Sequence, residues 1–315
     1  HFMQFASALQ NLLDDANITD IVINGVRSIL VRSSGRWFST ETIFSEPSEL
    51  QDFAIDLAES ANQALNFKDP FASFVAGDWR ISAVLSFGIC SETNITFRRV
   101  AGVEGASSPD QLFSDQRSGD LLAKIKHHMD ARQSVLIAGS AGSGKTTFLR
   151  ALLRRYPAER IITIEDAAEL QLHQEHVVRL ESRPPNIEGK GEVTARELVR
   201  NALRMRPDRI VVGEVRGDEV IDMLQAMNTG HEGSMTTVHA NSPADALVRL
   251  ENIIGMSGVS IPYKPLRQQI CSASQAIVEI ERMSDGKRRV VSIQEVFGMQ
   301  GDEIHLREIF AYRQT

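Results

Sequence analysis

The stretch GSAGSGKTT, Gly139 to Thr147, constrains this chain more than any other. It fits G-x-x-x-x-G-K-[ST] at Gly139, Gly144, Lys145 and Thr146. In such a loop the backbone N–H groups turn inward around a phosphate, and side chains would block that approach, hence the glycines. The whole run is therefore expected to line a nucleotide's phosphates, with Ser140, Ala141, Gly142 and Ser143 inside it and Thr147 just after it. Lys145 reaches the β- and γ-phosphates in this arrangement, and the Thr146 hydroxyl ligates Mg²⁺. The flanks fit. SVLIA before the loop reads as a strand, and TTFLRALLRRY after it reads as an amphipathic helix whose positive end points at the anion. A chance glycine-rich turn would not need both flanks.

A strand–loop–helix of this kind belongs in a mostly parallel sheet, and the rest of the chain supplies one. After Asp110 the apolar spacing alternates. Strands RIITIE, HVVRLE, RIVVGE and SMTTVHA are interleaved with helices TARELVRNALRM, DEVIDMLQAMN and PADALVRLENII. This predicts an α/β domain with helices on both faces of the sheet. From Gln275 the pattern returns to strands, QAIVEIERM, RRVVSIQEVFGM and EIHLREIFAYR, with a hairpin turn at 286–288. The first hundred residues read as a smaller α+β domain. DIVINGVRSILVRSSGRWFST has a hairpin rhythm broken at Asn24-Gly25 and Ser34-Gly35. A helix is expected over 48–65, and strands are expected at WRISAVLSF and NITFRRV. The small, polar AGVEGASSPD is the expected linker. The resulting division is an N-terminal domain over 1–100, a linker over 101–110 and a second domain over 111–315.

Bulk properties exclude several alternatives. At 315 residues, two domains are favoured over one core. A net charge of −7 and a pI near 5.7 make a general nucleic-acid coat an unlikely partner surface. The two cysteines, Cys90 and Cys271, form no zinc-binding pattern and fit a reducing compartment. No apolar run reaches the roughly 20 residues of a membrane span, and no signal peptide is visible, so any membrane work is peripheral. The opening His-Phe-Met has the look of a cloning remnant, with residues missing upstream.

Three further groups carry candidate chemistry. Glu214 ends the strand RIVVGE at the carboxyl edge of the sheet, where ligands bind; it suits either the Mg²⁺ shell, mainly through water, or the catalytic role of orienting or deprotonating the attacking water. Glu165, Asp166 and Glu169 follow another strand in TIEDAAEL. They suit either Mg²⁺ and its waters or a solvated first helical turn. His231 and His239, eight residues apart in TGHEGSMTTVHANSP, lack the i,i+4 spacing of a helical zinc pair. Phosphate sensing by a neutral imidazole suits them better, and hydrogen-bonded scaffold histidines remain the alternative. Arginines are numerous: Arg80 and Arg98 on first-domain strands, and Arg204, Arg206, Arg209 and Arg216 around RIVVGEVRG. For any one of them a surface ion pair is the commoner role.

The order of these stretches is more specific than any one of them. GSAGSGKTT, then IEDAAEL, then RIVVGEVRG, then TGHEGSMTTVHAN resembles the secretion or traffic ATPases of type II secretion, type IV secretion and type IV pilus machines. The phrases RPPNIEGKGEVT and LRQQICSASQAIVEIERMSDGKRRV are similar to the CpaF branch, which serves Flp (tight-adherence) pili. The resemblance spans about Ile18 to Phe310. It implies a RecA-like ATPase domain behind an N-terminal domain, ATP and Mg²⁺ as ligands, and a cytoplasmic homohexamer working peripherally at inner-membrane platform proteins, without direct pilin contact. Carried over residue by residue, Lys145 and Thr146 hold phosphate and metal, Glu214 is the Walker B glutamate, and Glu165, Asp166 and Glu169 are the Asp-box acids, with Glu165 a catalytic candidate and Asp166 near the metal. His231 and His239 are the His-box residues. Arg80, Arg98 and Arg216 belong to the nucleotide site. The Asp box here reads EDAAEL where many members have a proline after the aspartate, and CpaF-like chains usually carry a further N-terminal extension. The rival classes are a nucleic-acid-translocating hexameric ATPase and an ATP-gated scaffold that does not turn over.

Overall fold

The computed structural model describes residues 9–100, 118–186 and 188–312. The chain divides into two compact units, residues 1–102 with 184–192, and residues 103–183 with 193–315. The expected linker at 101–110 lies outside the described residues. The segment Pro184–Glu192 groups with the first unit, although it falls inside the range predicted for the second domain. A single bridge between Arg183 and Val193 closes the base of this excursion.

The first unit is a six-stranded antiparallel sheet in the order β3-β2-β1-β6-β5-β4. Its strands are β1 (Ile18–Asn24), β2 (Ile29–Ser33), β3 (Arg36–Ser39), β4 (Phe71–Ala76), β5 (Trp79–Val84) and β6 (Asn94–Arg99). Alternation does the work, since Ile21, Ile23, Ile81, Ile95 and Phe97 are buried on one face. The β2–β3 turn is the two-residue Ser34-Gly35, with φ of 51° and 79°, as its sequence predicts. Helix α1 (Pro47–Ser60) packs its Leu50, Ala54 and Ala58 into this core. It starts with proline in its first turn and a capping box between Glu46 and Glu49. It stops short of the predicted residue 65 because Asn62 turns left-handed, at φ 57°. β4, absent from the predicted elements, is an edge strand with exposed Phe71 and Val75, so its alternation alone is weak.

The second unit is built on an eight-stranded sheet in the order β14-β13-β12-β7-β11-β10-β8-β9. Its strands are β7 (Val135–Gly139), β8 (Ile161–Glu165), β9 (Val177–Glu181), β10 (Arg209–Val212), β11 (Met235–His239), β12 (Ala276–Arg282), β13 (Arg288–Gln300) and β14 (Glu303–Ala311). β12, β7, β11, β10, β8 and β9 are parallel to one another. β13 and β14 add an antiparallel hairpin at one edge. Odd and even positions of the central strands serve two cores. Val135, Ile137 and Val211 face α2 (Ser118–Asp130) and α3 (Lys145–Leu153). Leu136, Ala138, Ile210 and Val212 face α4 (Ala195–Ala202), α5 (Glu219–Asn228), α6 (Pro243–Met256) and α7 (Tyr263–Ala273). Burial on both faces explains why these strands read as continuous aliphatic runs. No predicted element corresponds to α7. No described helix is long and apolar enough to cross a membrane.

Arg209 closes the edge of this sheet at which the parallel strands begin. It is fully buried. It donates to the carbonyls of Gly233 and Met129, each at 2.9 Å, pairs with Glu159, and stacks 4.8 Å from the Tyr156 ring. The residue is therefore a structural tie between α2, β10 and the turn before β11, not a surface ion pair. Removing it leaves the Gly233 carbonyl without this donor and leaves Glu159 only Arg132 at 3.5 Å. Arg209→Met is expected to lower unfolding free energy by about 3 kcal/mol. Urea unfolding followed by far-UV circular dichroism checks this, and a loss below about 0.5 kcal/mol, the scale of an ordinary surface substitution, would refute the tie.

Candidate functional site

β7 ends in the phosphate-loop sequence, and the backbone follows its glycines. Gly139 sits at φ 155°, where a Cβ would lie 2.3 Å from the Ile280 carbonyl and 2.6 Å from Ser143 Oγ. Gly144, at φ 98°, is the left-handed residue from which α3 springs. Thr146 and Thr147 occupy the first turn of that helix. Ser143 is buried in the loop, while Ser140, Ala141 and Gly142 face solvent at its tip. Lys145 lies along the inside of the loop, its Nζ donating to the carbonyls of Gly139 (2.8 Å) and Ser140 (2.9 Å). Desolvation pulls its ammonium below the ordinary lysine value, against the opposing pull of Glu214. A helix N-terminus, an inward lysine and a loop too tight for Cβ atoms are the donor set that a nucleotide's phosphates require, so the residues present fit that group.

Parallel register places the rest. β11 pairs with β7 so that His239 is opposite Gly139. His239 Nδ1 is 3.4 Å from Lys145 Nζ, and its Nε2 is 2.7 Å from Glu214 Oε1. Desolvation, then the Lys145 charge, push this imidazole below the usual histidine value. A neutral ring presents Nδ1 to the Lys145 ammonium and its Nε2 edge to Glu214 Oε1, a buried oxygen that accepts no hydrogen bond among the described residues. Arg216 donates to the other Glu214 oxygen at 2.5 Å and lies 3.5 Å from Asp166. Asp166 in turn accepts from Ser182 Oγ at 2.8 Å. The Thr237 hydroxyl bonds the Gly213 carbonyl (2.7 Å), and the Val215 N–H bonds the Thr237 carbonyl (3.1 Å), which fastens the Glu214 turn to β11. Lys145, His239, Glu214, Arg216 and Asp166 thus form one connected array at the carboxyl edge of the sheet.

Two expected site residues do not join it. Glu165 is buried, and its Oε1 accepts the N–H groups of Glu169 and Leu170 at 3.1 and 3.0 Å. Its carboxyl shapes the turn after β8 and packs against Gly213, the residue before Glu214. His231 precedes β11 by a tight turn in which its carbonyl accepts from Ser234. It lies beyond the opposite end of that strand from His239, a rise on the order of 13 Å over β11 alone. Within this chain it therefore cannot share His239's ligand, because histidines at the two ends of a strand face two edges of the sheet. Arg80 and Arg98 are cross-strand partners on β5 and β6 of the first unit, and Arg98 binds Asp20 at 3.1 Å. Among the described residues no three His, Cys, Asp or Glu side chains group as a metal site.

Similarity to known proteins agrees with this arrangement. Residues 77–300 match the family described as Type II/IV secretion system protein. The chain belongs to that family. It is 38% identical over 298 residues to a putative conjugal transfer protein of Mycobacterium tuberculosis, covering 91% of this chain and 83% of the relative. It is 30% identical over 303 residues to protein VirB11 of Rhizobium radiobacter, covering 87% and 88%. In fold it matches the pilus retraction motor PilT solved with bound ADP, at TM-score 0.62 and 21% identity over 90% of this chain and 80% of that one. With its phosphate loop, this member of the family is an ATPase.

Burial raises the Glu165 carboxyl to about 7, and the backbone N–H groups of Leu170 and Glu169 oppose the shift. Burial likewise raises Glu279 to about 7, aided by Glu281. Folded protein therefore holds these protons where unfolded chain has lost them, so their contribution favours the fold at low pH and is lost as pH rises toward about 7. Glu165→Gln keeps an acceptor for both N–H groups without the charge. It is expected to flatten the fall in urea midpoint between pH 5 and pH 8. An unchanged profile would show the carboxyl to be ionised throughout.

Proposed function

We propose that the chain is the cytoplasmic motor subunit of a pilus or protein-secretion machine, assembled as a homohexamer at inner-membrane platform proteins, with the Flp (tight-adherence) pilus as the favoured setting. The single observation that carries the hydrolytic part is the pinned Glu214 carboxylate, held between His239 and Arg216 beside Lys145. A base held by Arg216 at one oxygen and flanked by His239 at the other has little room to swing, and its second oxygen is open to a substrate water.

ATP with Mg²⁺ supplies the phosphoryl group and the charge that Lys145 and the α3 N-terminus neutralise. Lys145 then exchanges its two loop carbonyls for phosphate oxygens. The Thr146 hydroxyl would ligate Mg²⁺, with Asp166 and Glu214 acting through water. Glu214 takes the proton of the attacking water. His239 keeps Glu214 oriented and, through Nδ1, keeps Lys145 in the same chain of contacts. Arg216 balances the acid's charge. Arg80 and Arg98 are the first unit's candidates for reporting phosphate occupancy. The relatives' names support a place in type IV secretion or conjugal transfer, and the phrases RPPNIEGKGEVT and LRQQICSASQAIVEIERMSDGKRRV support the pilus branch.

Glu214→Gln should retain nucleotide binding while hydrolysis falls by about a hundredfold or more. Steady-state phosphate release with equilibrium binding, read beside native mass, tests this. Unchanged turnover would remove Glu214 from the chemistry. A wild-type hexamer without turnover would favour the gated scaffold, and strong stimulation by DNA or RNA would favour nucleic-acid translocation.

A further inference from the structure

The β12–β13 hairpin carries two arginines that no residue of the array explains. Arg282 and Arg288 are direct cross-strand partners at the end of the hairpin. The Arg288 stem lies against the phosphate loop, and a Cβ on Gly144 would sit 2.6 Å from its Cδ and 3.2 Å from its Nε. The missing side chain at Gly144 thus serves two purposes. It allows the left-handed turn into α3, and it leaves the groove in which Arg288 lies.

The hairpin's own acids do not neutralise this pair. Asp285 is occupied, accepting both terminal nitrogens of Arg289 at 3.1 and 2.8 Å and the Lys287 N–H at 2.9 Å. Those contacts hold its carboxyl down at about 2. Glu281 pairs in register with Arg289, so alternation turns it to the other face from Arg282 and Arg288. Among the described residues neither Arg282 nor Arg288 has an acidic partner. Like charges directly opposite on two strands repel, and an unpaired cation that loses water is disfavoured. Desolvation against the loop, then the Arg282 charge, lowers the Arg288 guanidinium from its ordinary value, although the residue is exposed. Two exposed guanidinium groups beside a phosphate loop, with no acid between them, offer a site for an anion, and arginine's planar fork suits phosphate oxygens.

We infer that Arg288, supported by Arg282, is a further phosphate-positioning residue of the nucleotide site, reaching over Gly144 from the β12–β13 hairpin to the polyphosphate chain. This rests on the phosphate-loop reading above. It gives the antiparallel hairpin a part in the site, because a ligand bound here is gripped from β7, β11 and the hairpin at once.

The test is equilibrium binding of a fluorescent ATP analogue to the full chain, with tripolyphosphate as competitor, for wild type, Arg288→Gln, Arg282→Gln, Arg288→Lys and Lys145→Ala. Arg288→Gln should weaken ATP binding about tenfold, the scale of one charge-assisted hydrogen bond. Tripolyphosphate competition should weaken by the same factor, and Arg288→Lys should recover part of it. Arg282→Gln should have a smaller effect of the same sign, and the salt dependence should become shallower in both. If Lys145→Ala loses binding while both glutamine variants stay within twofold of wild type, the arginine proposal fails and the phosphate-loop reading stands. If ATP binding weakens but tripolyphosphate competition does not, Arg288 contacts the base or only supports the fold, and the phosphate role is refuted. If wild type binds neither probe, both readings fall together. Equal melting temperatures for wild type and Arg288→Lys would assign any weakening in that variant to the phosphate site and not to unfolding.

Discussion

β7 and β11 lie side by side in parallel with His239 opposite Gly139, and the chemistry of the second unit follows from that register. A slip by one residue would turn His239 into the core and bring Val238 to the loop, because side chains alternate along a strand. The register is fixed by burial on both faces. Leu136, Ala138 and Val238 belong to one core, and Val135, Ile137 and Met235 to the other. With the strands so locked, His239 has one place to go, between Lys145 and Glu214. The Glu214 turn is then fastened to β11 by the Thr237 hydroxyl and backbone. Hydrophobic packing tens of residues away in sequence therefore sets distances of about three ångströms at the site.

Much of this was legible in the sequence, and the parts that were not have physical causes. The phosphate loop, the central strands and the Glu214 position follow from runs whose period and punctuation are unambiguous. Helix α7, Tyr263–Ala273, was not legible as an element. Its polar Lys264, Arg267, Gln268 and Gln269 dilute an apolar stripe that consists of Leu266, Ile270 and Ala273. Strand β4 was hidden because an edge strand buries only alternate residues. Acidic residues after β8 could be identified as a group, but not divided into roles. Which of Glu165 and Asp166 points into the turn and which reaches Arg216 depends on side-chain direction at a strand end, and adjacent residues point opposite ways. His231 and His239 looked equivalent for the reverse reason, since residue type said nothing about which end of β11 each occupies. Arg288 gave a signal only as part of a turn, Gly286-Lys287-Arg288, and its approach to Gly144 needs the folded hairpin to be seen.

The two edges of the large sheet are treated in opposite ways. At the edge where the parallel strands begin, Arg209 has its charge met by Glu159 and its donors by carbonyls, and it is sealed from water. At the carboxyl edge, Lys145, Arg216 and Arg288 converge on one helix N-terminus, and Glu214 lies between a histidine and an arginine. These cations gather at one place on a chain whose net charge is −7. Such a site gathers anions by focusing rather than by overall charge, and the acidic remainder of the surface weakens nonspecific attraction for nucleic acid.

Lys145 shows how the site is kept ready. Its ammonium is drawn out of water, which alone would favour the neutral amine, yet it is held by two loop carbonyls and the field of Glu214. Carbonyl oxygens are partners it can give up, because each is a dipole and a phosphate oxygen carries charge. A direct ion pair with Glu214 would bind the lysine too well to be released. Placing His239 between them prevents that contact. The imidazole keeps the lysine and the glutamate one ring apart, stays neutral because both burial and the lysine's charge disfavour its protonation, and so leaves one cation free for substrate charge and one carboxylate free for a water.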